Sequence, residues 1–589
     1  MYRAKQYFPV IVLLYAVIGL LLGSCNSGSN KSESVRIRWG YDPETLDPML
    51  LLNQAAIDAN NLLHASLLHA DLSTGRYGPA LAETLPSIQL VGDSLMQLDY
   101  GLRPTAAWDN GRPVLASDVE FTLKLMFCPG LPNEVLRNRY RFIRAVLTSP
   151  QAPRRFALVC RGQAPEYVDA SGDFFILSEA SLDPRGQLRR FTLAELQRRP
   201  LAAPVDSGLE AVARRYRMTS PTCTPGSLPG CGPYQLVRWE KDRYLSFRRK
   251  PQWWADQLHP APSVLRARSR RLDYVIIPDA ATALLALRRG DLEVYPQVPA
   301  REFARLRASP AARAALHFYS TTSFDVITAG FNTHRPALAN ALTRQALSRC
   351  FDAAGLLRAT QLGGGQLTVS IISPTDKTNY NDSLALIPFD LQGAAELLRK
   401  AGWKRNSSTG AGWFRNDTRG IRQQLRLTVQ YRADELLFAT VALQFQAAAA
   451  QLGIPIILQP AEAGIFSMAV RNGNFDVYIR VLKGNPFMFN FIPILHSLGI
   501  GAGNTTGFST LASDRLIEAI TTADTPVHRA QLLRRFQALM QQEVPLVPLF
   551  FLPNRLAVAK RLTGLHVSSL RPGYSAATIE CDPAPSPTP

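Results

Sequence analysis

Strand-like and helix-like patterns of apolar residues alternate along most of the chain. Period-two or short apolar runs occur in "SVRIRWG" (34–40), "RYLSFRRK" (243–250), "LDYVIIP" (272–278), "LRLTVQY" (425–431) and "IPIILQ" (454–459). Apolar residues recur at helical spacing in "LASDVEFTLKLMF" (115–127), "AATALLALRRGDL" (280–292), "FDLQGAAELLRKAGW" (389–403) and 433–452. Because strands and helices alternate, the sequence predicts an α/β fold.

Several of the predicted helices carry signals at their ends. Ser117 or Asp118 is expected to cap the first, and Asp390 the helix that starts near 391, because a side-chain oxygen can accept a free backbone N–H there. Gly290 and Gly402 are expected to end helices, since glycine readily adopts a positive φ.

The N-terminus has the parts of an export signal. Arg3 and Lys5 precede an uncharged apolar run at 8–22, and small residues follow it. A helix needs about 20 apolar residues to cross a bilayer, so this shorter run favours a signal peptide over a permanent anchor.

A cysteine stands directly after that run. The stretch "LGSC", residues 22–25, resembles the lipobox of bacterial lipoproteins, in which the cysteine is acylated and the peptide is cut just before it. The resemblance implies that residues 1–24 are a lipoprotein signal peptide, that Cys25 is lipidated and that residues 25–34 are a flexible tether. The alternative is an ordinary secretory signal that has a cysteine near its cut by chance.

Length and charge limit the partners. The chain has 589 residues, which at roughly 100 to 200 residues per domain corresponds to about two to four domains. The formal net charge of +19 is compatible with nucleic acid, an anionic membrane surface or solubility alone. The arginines are scattered and no nucleic-acid-binding motif accompanies them, so we expect no nucleic-acid partner.

The cysteines and the missing motifs limit the chemistry. Cys223 and Cys231 flank a Pro/Gly/Ser loop that a disulfide can close in an exported protein, and the pairing of the other cysteines is undetermined. The sequence has no CxxC, HExxH, GxxxxGK[ST], GxSxG or helix-opening GxGxxG. His64 and His69 are five residues apart, which is off the spacing of a helical metal pair. We therefore expect no enzymatic activity, no cofactor and no metal.

Co-linear blocks carry a family resemblance over about residues 35–570. The blocks are "ETLDP", "YGPALAETLP", "LDYGLRPTAAWDNGRPVLASDVEFTLKLM", "CGPYQLVRWEKDRYLSFRRKPQWW", "IIPDAATALLALRRGDLEV", "FNTHRPALANALTRQALSRCFD" and "FDLQGAAELLRKAGW". Together, and in this order, they resemble the bacterial extracellular solute-binding protein family 5, the oligopeptide, dipeptide and nickel ABC-importer binding lipoproteins.

The resemblance implies a two-lobed periplasmic-binding-protein-like fold of type II, with an extra subdomain and a hinge between the lobes. The expected division is lobe I with its subdomain at 35–320, lobe II at 321–508, a return to lobe I at 509–575 and a disordered tail at 576–589. The crossings are expected near 319–325 and 507–510. The helical segment at 513–543 is expected to return to lobe I.

The function implied is that of a lipid-anchored, extracytoplasmic or periplasmic binder. It would be a monomer that closes over a peptide-like or other small solute and delivers it to an ABC permease and ATPase complex. Two alternatives remain open at this point. One is a transport-independent binder on the same scaffold, such as a sensor or a chaperone-like peptide holder, and the other is an exported hydrolase.

Candidate ligand contacts follow from position and side-chain chemistry. Tyr41 and Glu44 come after the first strand, Trp108 offers a flat apolar wall, and Asn332 follows a strand expected in the second lobe. Each also has a structural interpretation, because tyrosine and tryptophan are common in cores and asparagine can satisfy backbone groups.

The segment "FDVYIRVLKGNPFMF" (475–489) departs from the family. Peptide-binding members resemble F-D-x5-W-x-x-D here, with the tryptophan lining the pocket and the aspartate holding the peptide amine. Those two places fall on Leu482 and Asn485. Asparagine has no charge to compensate a desolvated ammonium group. We therefore expect a solute that is neutral, anionic or blocked at its amino end, unless another acid such as Glu44 takes over.

Overall fold

The computed structural model describes residues 34–581 except 52, 93, 200–205, 220–227, 407–411, 417–419, 485, 488 and 502. None of the helices in this part of the chain combines the length and the hydropathy that crossing a bilayer requires. The expected signal peptide, Cys25 and most of the expected tether lie outside the described residues.

Twenty-two strands are described. They are β1 Ser34–Trp39, β2 Leu68–Asp71, β3 Arg76–Pro79, β4 Ser87–Val91, β5 Leu95–Gly101, β6 Ile143–Thr148, β7 Arg155–Arg161, β8 Tyr234–Glu240, β9 Tyr244–Arg249, β10 Arg271–Ile276, β11 Val294–Pro296, β12 Leu316–Phe331, β13 Gln366–Leu367, β14 Lys404–Asn406, β15 Gly412–Asn416, β16 Arg422–Gln424, β17 Leu427–Arg432, β18 Ile456–Ala461, β19 Val477–Lys483, β20 Leu546–Ala559, β21 Leu562–Thr563 and β22 Glu580–Cys581.

The α-helices of the described residues lie between them. They are α1 Gln54–Leu63, α2 Ala116–Leu125, α3 Glu134–Tyr140, α4 Tyr167–Ala170, α5 Glu179–Leu182, α6 Leu193–Arg198, α7 Ser207–Thr219, α8 Ala280–Arg289, α9 Ala300–Ala308, α10 Pro310–Ala315, α11 Ala341–Ser348, α12 Ala353–Gln361, α13 Leu391–Lys400, α14 Leu436–Gln451, α15 Ala463–Arg471, α16 Ile492–Leu495, α17 Leu511–Thr522 and α18 Pro526–Glu543.

One mixed sheet runs through both lobes, which confirms the predicted α/β class. Its strand order is β18-β17-β19-β12-β20-β11-β1-β10-β9-β8, and β13 pairs with β20. Within it, β1 pairs in parallel with β10 and β11, and its alternate residues Val35, Ile37 and Trp39 are buried. Helices cover the sheet, so the period-two pattern of β1 buries one set of side chains in the first lobe.

Two long antiparallel strands carry the chain between the lobes. The pairing of β12 with β20 covers Leu316–Thr322 against Pro553–Ala559 in the first lobe and Val326–Gly330 against Leu546–Phe551 in the second. The ladder changes register between Thr322 and Val326. The expected first crossing at 319–325 therefore falls on this irregularity, because the local break in pairing is where the strand passes from one lobe to the other.

The second crossing differs from the expectation. It lies in β20 and not at 507–510, because Phe508 is buried in a second-lobe cluster with Phe475 and Tyr478. The segment expected to return at 513–543 forms α17 and α18, and their apolar residues Ile517 and Phe536 pack in that same cluster. The structure therefore moves the return to the first lobe from 509 to the middle of β20.

The expected disordered tail also begins later. Residues 576–581 pack on the first lobe, where Ile579 is fully buried and β22 pairs with β21. Backbone N–H groups of Arg268 and Ser269 donate to the carbonyl of Ala577. Residues 582–589 lie outside the described part of the chain.

The first lobe contains the inserted subdomain. Its sheet has the order β4-β5-β7-β6. Apolar residues of this sheet, such as Leu98 and Leu158, belong to the same large core cluster as Val35 and Ile37 of β1. The insertion is therefore packed onto the first lobe through a common core.

The helix-end signals at Asp390 and Gly290 are confirmed. The Asp390 carboxylate accepts the N–H of Gly393 at 2.9 Å, and Gly290 ends α8 with a φ of 73°. The cap of α2 differs from the expectation, because the helix starts two residues earlier than a cap at Ser117 and three residues earlier than a cap at Asp118 would place it. Leu115 is the cap residue, and Asp118 accepts its N–H at 2.9 Å from inside the first turn.

Candidate functional site

A cavity of about 620 Å³ lies between the lobes. The first lobe contributes α3 through Val135, Asn138 and Arg139, and the second contributes the end of β19 and the following loop. The crossing strands supply Val326 and Phe551. A volume of roughly 300 to 1,000 Å³ is typical of small-molecule sites, so this cavity is the candidate site.

The walls of the cavity are mainly apolar. The loop after β19 brings Pro486, Phe489 and Phe491, and the segment near 372 brings Ile371 and Ile372. Phe489 and Phe491 also pack in the second-lobe cluster that contains α17 and α18. The lining is therefore fixed by the packing of the second lobe.

The last residues of β19 face this cavity. Leu482, which occupies the place of the family tryptophan, lines it together with Lys483. Leu482 is opposite Val326 in the ladder with β12, and Lys483 is opposite Asp325. Asn485 lies outside the described residues, so its expected place in the site stays a prediction.

Charged side chains surround the end of β19. The Arg571 guanidinium group donates through Nε to Asp325 Oδ1 at 3.0 Å, and a second N–H of the same group donates to Oδ2. In the second lobe, Arg432 forms an ion pair with Asp434. Burial lowers the pKa of Lys483, and the positive charges of Arg571 and Arg432 lower it further, against the opposite effect of Asp325. The end of β19 therefore places Lys483 beside two arginines that are each paired with a carboxylate.

The structure brings Tyr41 to this group of charges. Its side chain is 47% exposed, and burial of the hydroxyl raises its pKa. Asp58 acts in the same direction, whereas Arg571 of the first lobe and Arg432 of the second lower the pKa. Tyr41 is therefore within electrostatic reach of both lobes, but it does not line the cavity, and its role as a ligand contact stays a prediction.

Glu44 lies on the turn after Tyr41. The residue is exposed, with a φ of 64°, and its N–H donates to Asp42 Oδ1 at 2.9 Å. Its carboxylate is not among the groups that line the cavity. A role for Glu44 in holding a ligand amine therefore stays a prediction.

Trp108 and Asn332 have structural surroundings. Trp108 is 4% exposed in the first-lobe core, and its Nε1 donates to Asp118 at 3.4 Å. Asn332 is buried, and its Nδ2 donates to the carbonyl oxygens of Gly473 and Phe475, both at 3.1 Å. It follows β12 at the end remote from the crossing. Neither residue lines the cavity, so their side chains stabilise the lobes and do not form its wall.

An aromatic contact joins the two lobes beside the cavity. The rings of Tyr77 on β3 and Phe487 of the second lobe lie 4.6 Å apart. Tyr77 donates its hydroxyl to Asp173 at 2.7 Å, and the same carboxylate oxygen accepts from Arg139 at 2.5 Å. Arg139 therefore lines the cavity with its charge already compensated.

A second cavity, of about 180 Å³, lies within the first lobe. Asp58 and His64 of the α1 region line it together with Tyr274 and Tyr574. Burial raises the pKa of Asp58 to about 7 and lowers that of His64 to about 3. Because only first-lobe residues line this cavity, a hinge motion does not open or close it.

The described residues give little support to a metal site or to the expected disulfide. No group of three or more His, Cys, Asp or Glu side chains in them is placed to hold a metal ion. Cys231 is a buried free thiol whose pKa burial raises to about 12, and Cys223 lies outside the described residues. The structure therefore gives the expected Cys223–Cys231 pairing no support.

Comparison with known proteins decides the family. The profile of the bacterial extracellular solute-binding proteins, family 5 Middle, matches residues 76–497. The chain belongs to the bacterial extracellular solute-binding proteins, family 5. The family name refers to the binding of solutes. In this chain, the cavity between the lobes is the feature that suits solute binding.

Individual relatives in family 5 are distant. Heme-binding protein A of Haemophilus influenzae is 24% identical over 363 residues, which are 59% of this chain and 58% of that protein. The chain thus spans little more than half of the length of that relative. The oligopeptide-binding protein AppA of Bacillus subtilis is 20% identical over 98% of both chains.

A solved family 5 structure confirms the fold. AppA of Bacillus subtilis, in complex with a nonapeptide, superposes with a TM-score of 0.72 at 18% identity, covering 93% of this chain and 98% of that one. At this identity the likeness concerns the fold alone.

Sequence reasoning missed three charged residues of the site. Arg139, Lys483 and Arg571 lie in segments far apart in sequence, and each looks like an ordinary exposed base in a chain with a net charge of +19. For Lys483, its position next to Leu482 was the one sequence signal that could have indicated a place in the site.

Proposed function

We propose that the protein is the lipid-anchored, extracytoplasmic solute-binding component of an ABC importer. The cavity between the lobes carries the proposal, because both lobes and both crossing strands line it. Closure of the lobes about the crossing strands would enclose a solute and exclude water, which strengthens polar contacts. Cys25 would hold the binder at the membrane beside its permease.

The solute class follows from the wall at β19. Leu482 places an aliphatic side chain at the position that is tryptophan in the motif of the peptide-binding members. In the sequence, Asn485 stands at the position that is aspartate in that motif. A charge-assisted hydrogen bond is about twice as strong as a neutral one, so loss of the carboxylate costs about 1 to 3 kcal/mol for a free peptide amine. The solute we propose is peptide-like or another small molecule that is neutral, anionic or blocked at its amino end.

Calorimetry with a matched pair of peptides tests this solute class. Leu-Phe-Leu and N-acetyl-Leu-Phe-Leu differ at the amino end, where acetylation replaces the ammonium group by a small neutral amide. We expect the free peptide to bind poorly and acetylation to cause no loss of affinity. Micromolar binding of the free peptide that disappears on acetylation would refute the proposal.

Hinge closure has its own test. Mass spectrometry of the solute that co-purifies with the protein identifies a ligand, and X-ray scattering then compares the stripped and the reloaded protein. We expect a smaller radius of gyration after reloading. An unchanged radius with the site occupied would exclude closure as the mechanism.

A further inference from the structure

The cavity between the lobes has one charged group without a partner. Arg139 is paired with Asp173, and Asp376, the carboxylate among the residues that line the cavity, accepts from both the backbone and the side chain of Asn379. Within the described part of the chain, nothing forms a hydrogen bond or an ion pair with the Lys483 ammonium group. Among the described residues of the lining, the exposed Lys483 ammonium is therefore the charged group with neither a hydrogen-bond nor an ion-pair partner.

The carboxylates that pair with Arg571 and Arg432 do not pair with Lys483 as well. Asp325 faces Lys483 across the strand pair, but both of its oxygens accept hydrogen bonds from Arg571. Asp434 is engaged by Arg432 through both of its oxygens as well. Burial lowers the pKa of Lys483, and the charges of Arg571 and Arg432 lower it further, against the effect of Asp325.

Closure of the lobes makes an ammonium group without a partner more costly in free energy. When water leaves a cleft, an ammonium group without a partner loses its hydration and gains nothing in return. A ligand with an anionic group would supply the missing partner and would strengthen the pair in the dry cleft. The apolar walls at Leu482, Phe489 and Phe491 would accept the remainder of such a ligand.

We propose that the solute is an amphipathic anion, whose apolar body fills the cavity between the lobes and whose anionic group pairs with Lys483. This inference rests on the proposed function and narrows it, because it selects the anion among the neutral, anionic and amino-blocked solutes. Lys483 is then a residue that determines specificity.

Two dyes that differ by one charge test the proposal. 8-Anilinonaphthalene-1-sulfonate and N-phenyl-1-naphthylamine share an apolar body, and only the first carries a sulfonate. Fluorescence titration is performed on the wild type, on Lys483→Met and on the control Lys400→Met. Lys400 is an exposed lysine at the end of α13 in the second lobe, so its substitution removes the same charge away from the cavity.

We expect the wild type to bind the sulfonate dye at one high-affinity site. Lys483→Met is expected to weaken that site about tenfold to a hundredfold, since hydrogen bonds to charged groups contribute about that much. It should leave the neutral dye unchanged, and Lys400→Met should change neither. Equal affinities of the two dyes, no binding of the sulfonate, or equal effects of the two substitutions would overturn the proposal. The peptide calorimetry above is independent of these titrations, so failure of the anion assignment and failure of the proposed solute class give different results.

Discussion

Arg529 of α18 in the second lobe donates to Glu166 of the first lobe at 3.2 Å. The Glu166 side chain is almost completely buried, and burial raises its pKa against the opposing effect of Arg529. The same guanidinium group lies 5.8 Å from the ring centre of Phe489, which lines the cavity between the lobes. The ion pair therefore links the two lobes directly beside the candidate site.

Removal of this ion pair should favour the open form. We expect Arg529→Gln to increase the radius of gyration of the ligand-free protein in X-ray scattering, because a charge-assisted hydrogen bond of about 1.5 to 3 kcal/mol between the lobes is lost. Arg534→Gln is the matched control. Arg534 pairs with Asp382 at the same distance of 3.2 Å, on the same helix and within one lobe. Equal radii for the two variants would show that the Arg529 pair does not hold the lobes together.

Replacement of Asn485 by aspartate is expected to cause a gain of function. Asn485→Asp should tighten binding of the free peptide Leu-Phe-Leu about tenfold to a hundredfold, because the carboxylate meets the ammonium group. N-acetyl-Leu-Phe-Leu should gain nothing, as measured by calorimetry. Asn490→Asp adds the same charge to the cavity lining and serves as the control. The assignment fails if both variants bind the free peptide equally.

Asp58 should make stability fall as the pH rises through neutrality. Burial raises its pKa from 3.8 to about 7, against the hydrogen bond from Gln54 and the charge of Arg571. The folded state thus favours the protonated acid. Its contribution is complete below the unfolded pKa and is lost as the pH rises through about 7, by about 1 kcal/mol between pH 6 and 8.

Chemical denaturation at pH 6 and pH 8 measures this loss. Asp58→Asn keeps an oxygen as acceptor for Gln54 and cannot ionise, so its free energy of unfolding should fall less over this interval. A wild type and a variant that lose stability in parallel would contradict a raised pKa of Asp58.

The lipid anchor predicts a labelling result. Cells that express the wild type should incorporate a palmitate analogue into the protein, and Cys25→Ala should abolish the label and release the protein or leave its signal uncut. Cys581→Ala retains Cys25 and is the control. Absence of label on the wild type would refute the lipidation of Cys25.

Much of the fold could be predicted from local pattern. The alternation in "SVRIRWG" corresponds to β1, and the caps at Asp390 and Gly290 lie at the positions that the sequence predicts. Helices α17 and α18 were assigned to the other lobe, because amphipathic spacing shows that a helix has an apolar face but does not show which core receives it.

The site was less accessible to sequence reasoning. Leu482 follows from its place in a family motif, and in the structure it lines the cavity between the lobes. Trp108 and Asn332 follow from side-chain chemistry and position in the sequence, and in the structure their burial and hydrogen bonds satisfy those side chains within the lobes. Lys483 acquires its role from Asp325 and Arg571, which are far away in the chain and near only in space.

The pairing of β12 with β20 has a mechanical consequence. Both connections between the lobes belong to one hydrogen-bonded ribbon, so neither can swing without bending the other. Such a ribbon resists stretching along its length and in-plane shear, and it yields most easily where its register breaks, between Thr322 and Val326. The lobes are thereby left with essentially one soft degree of freedom, and a pull on either lobe is converted into rotation about that break.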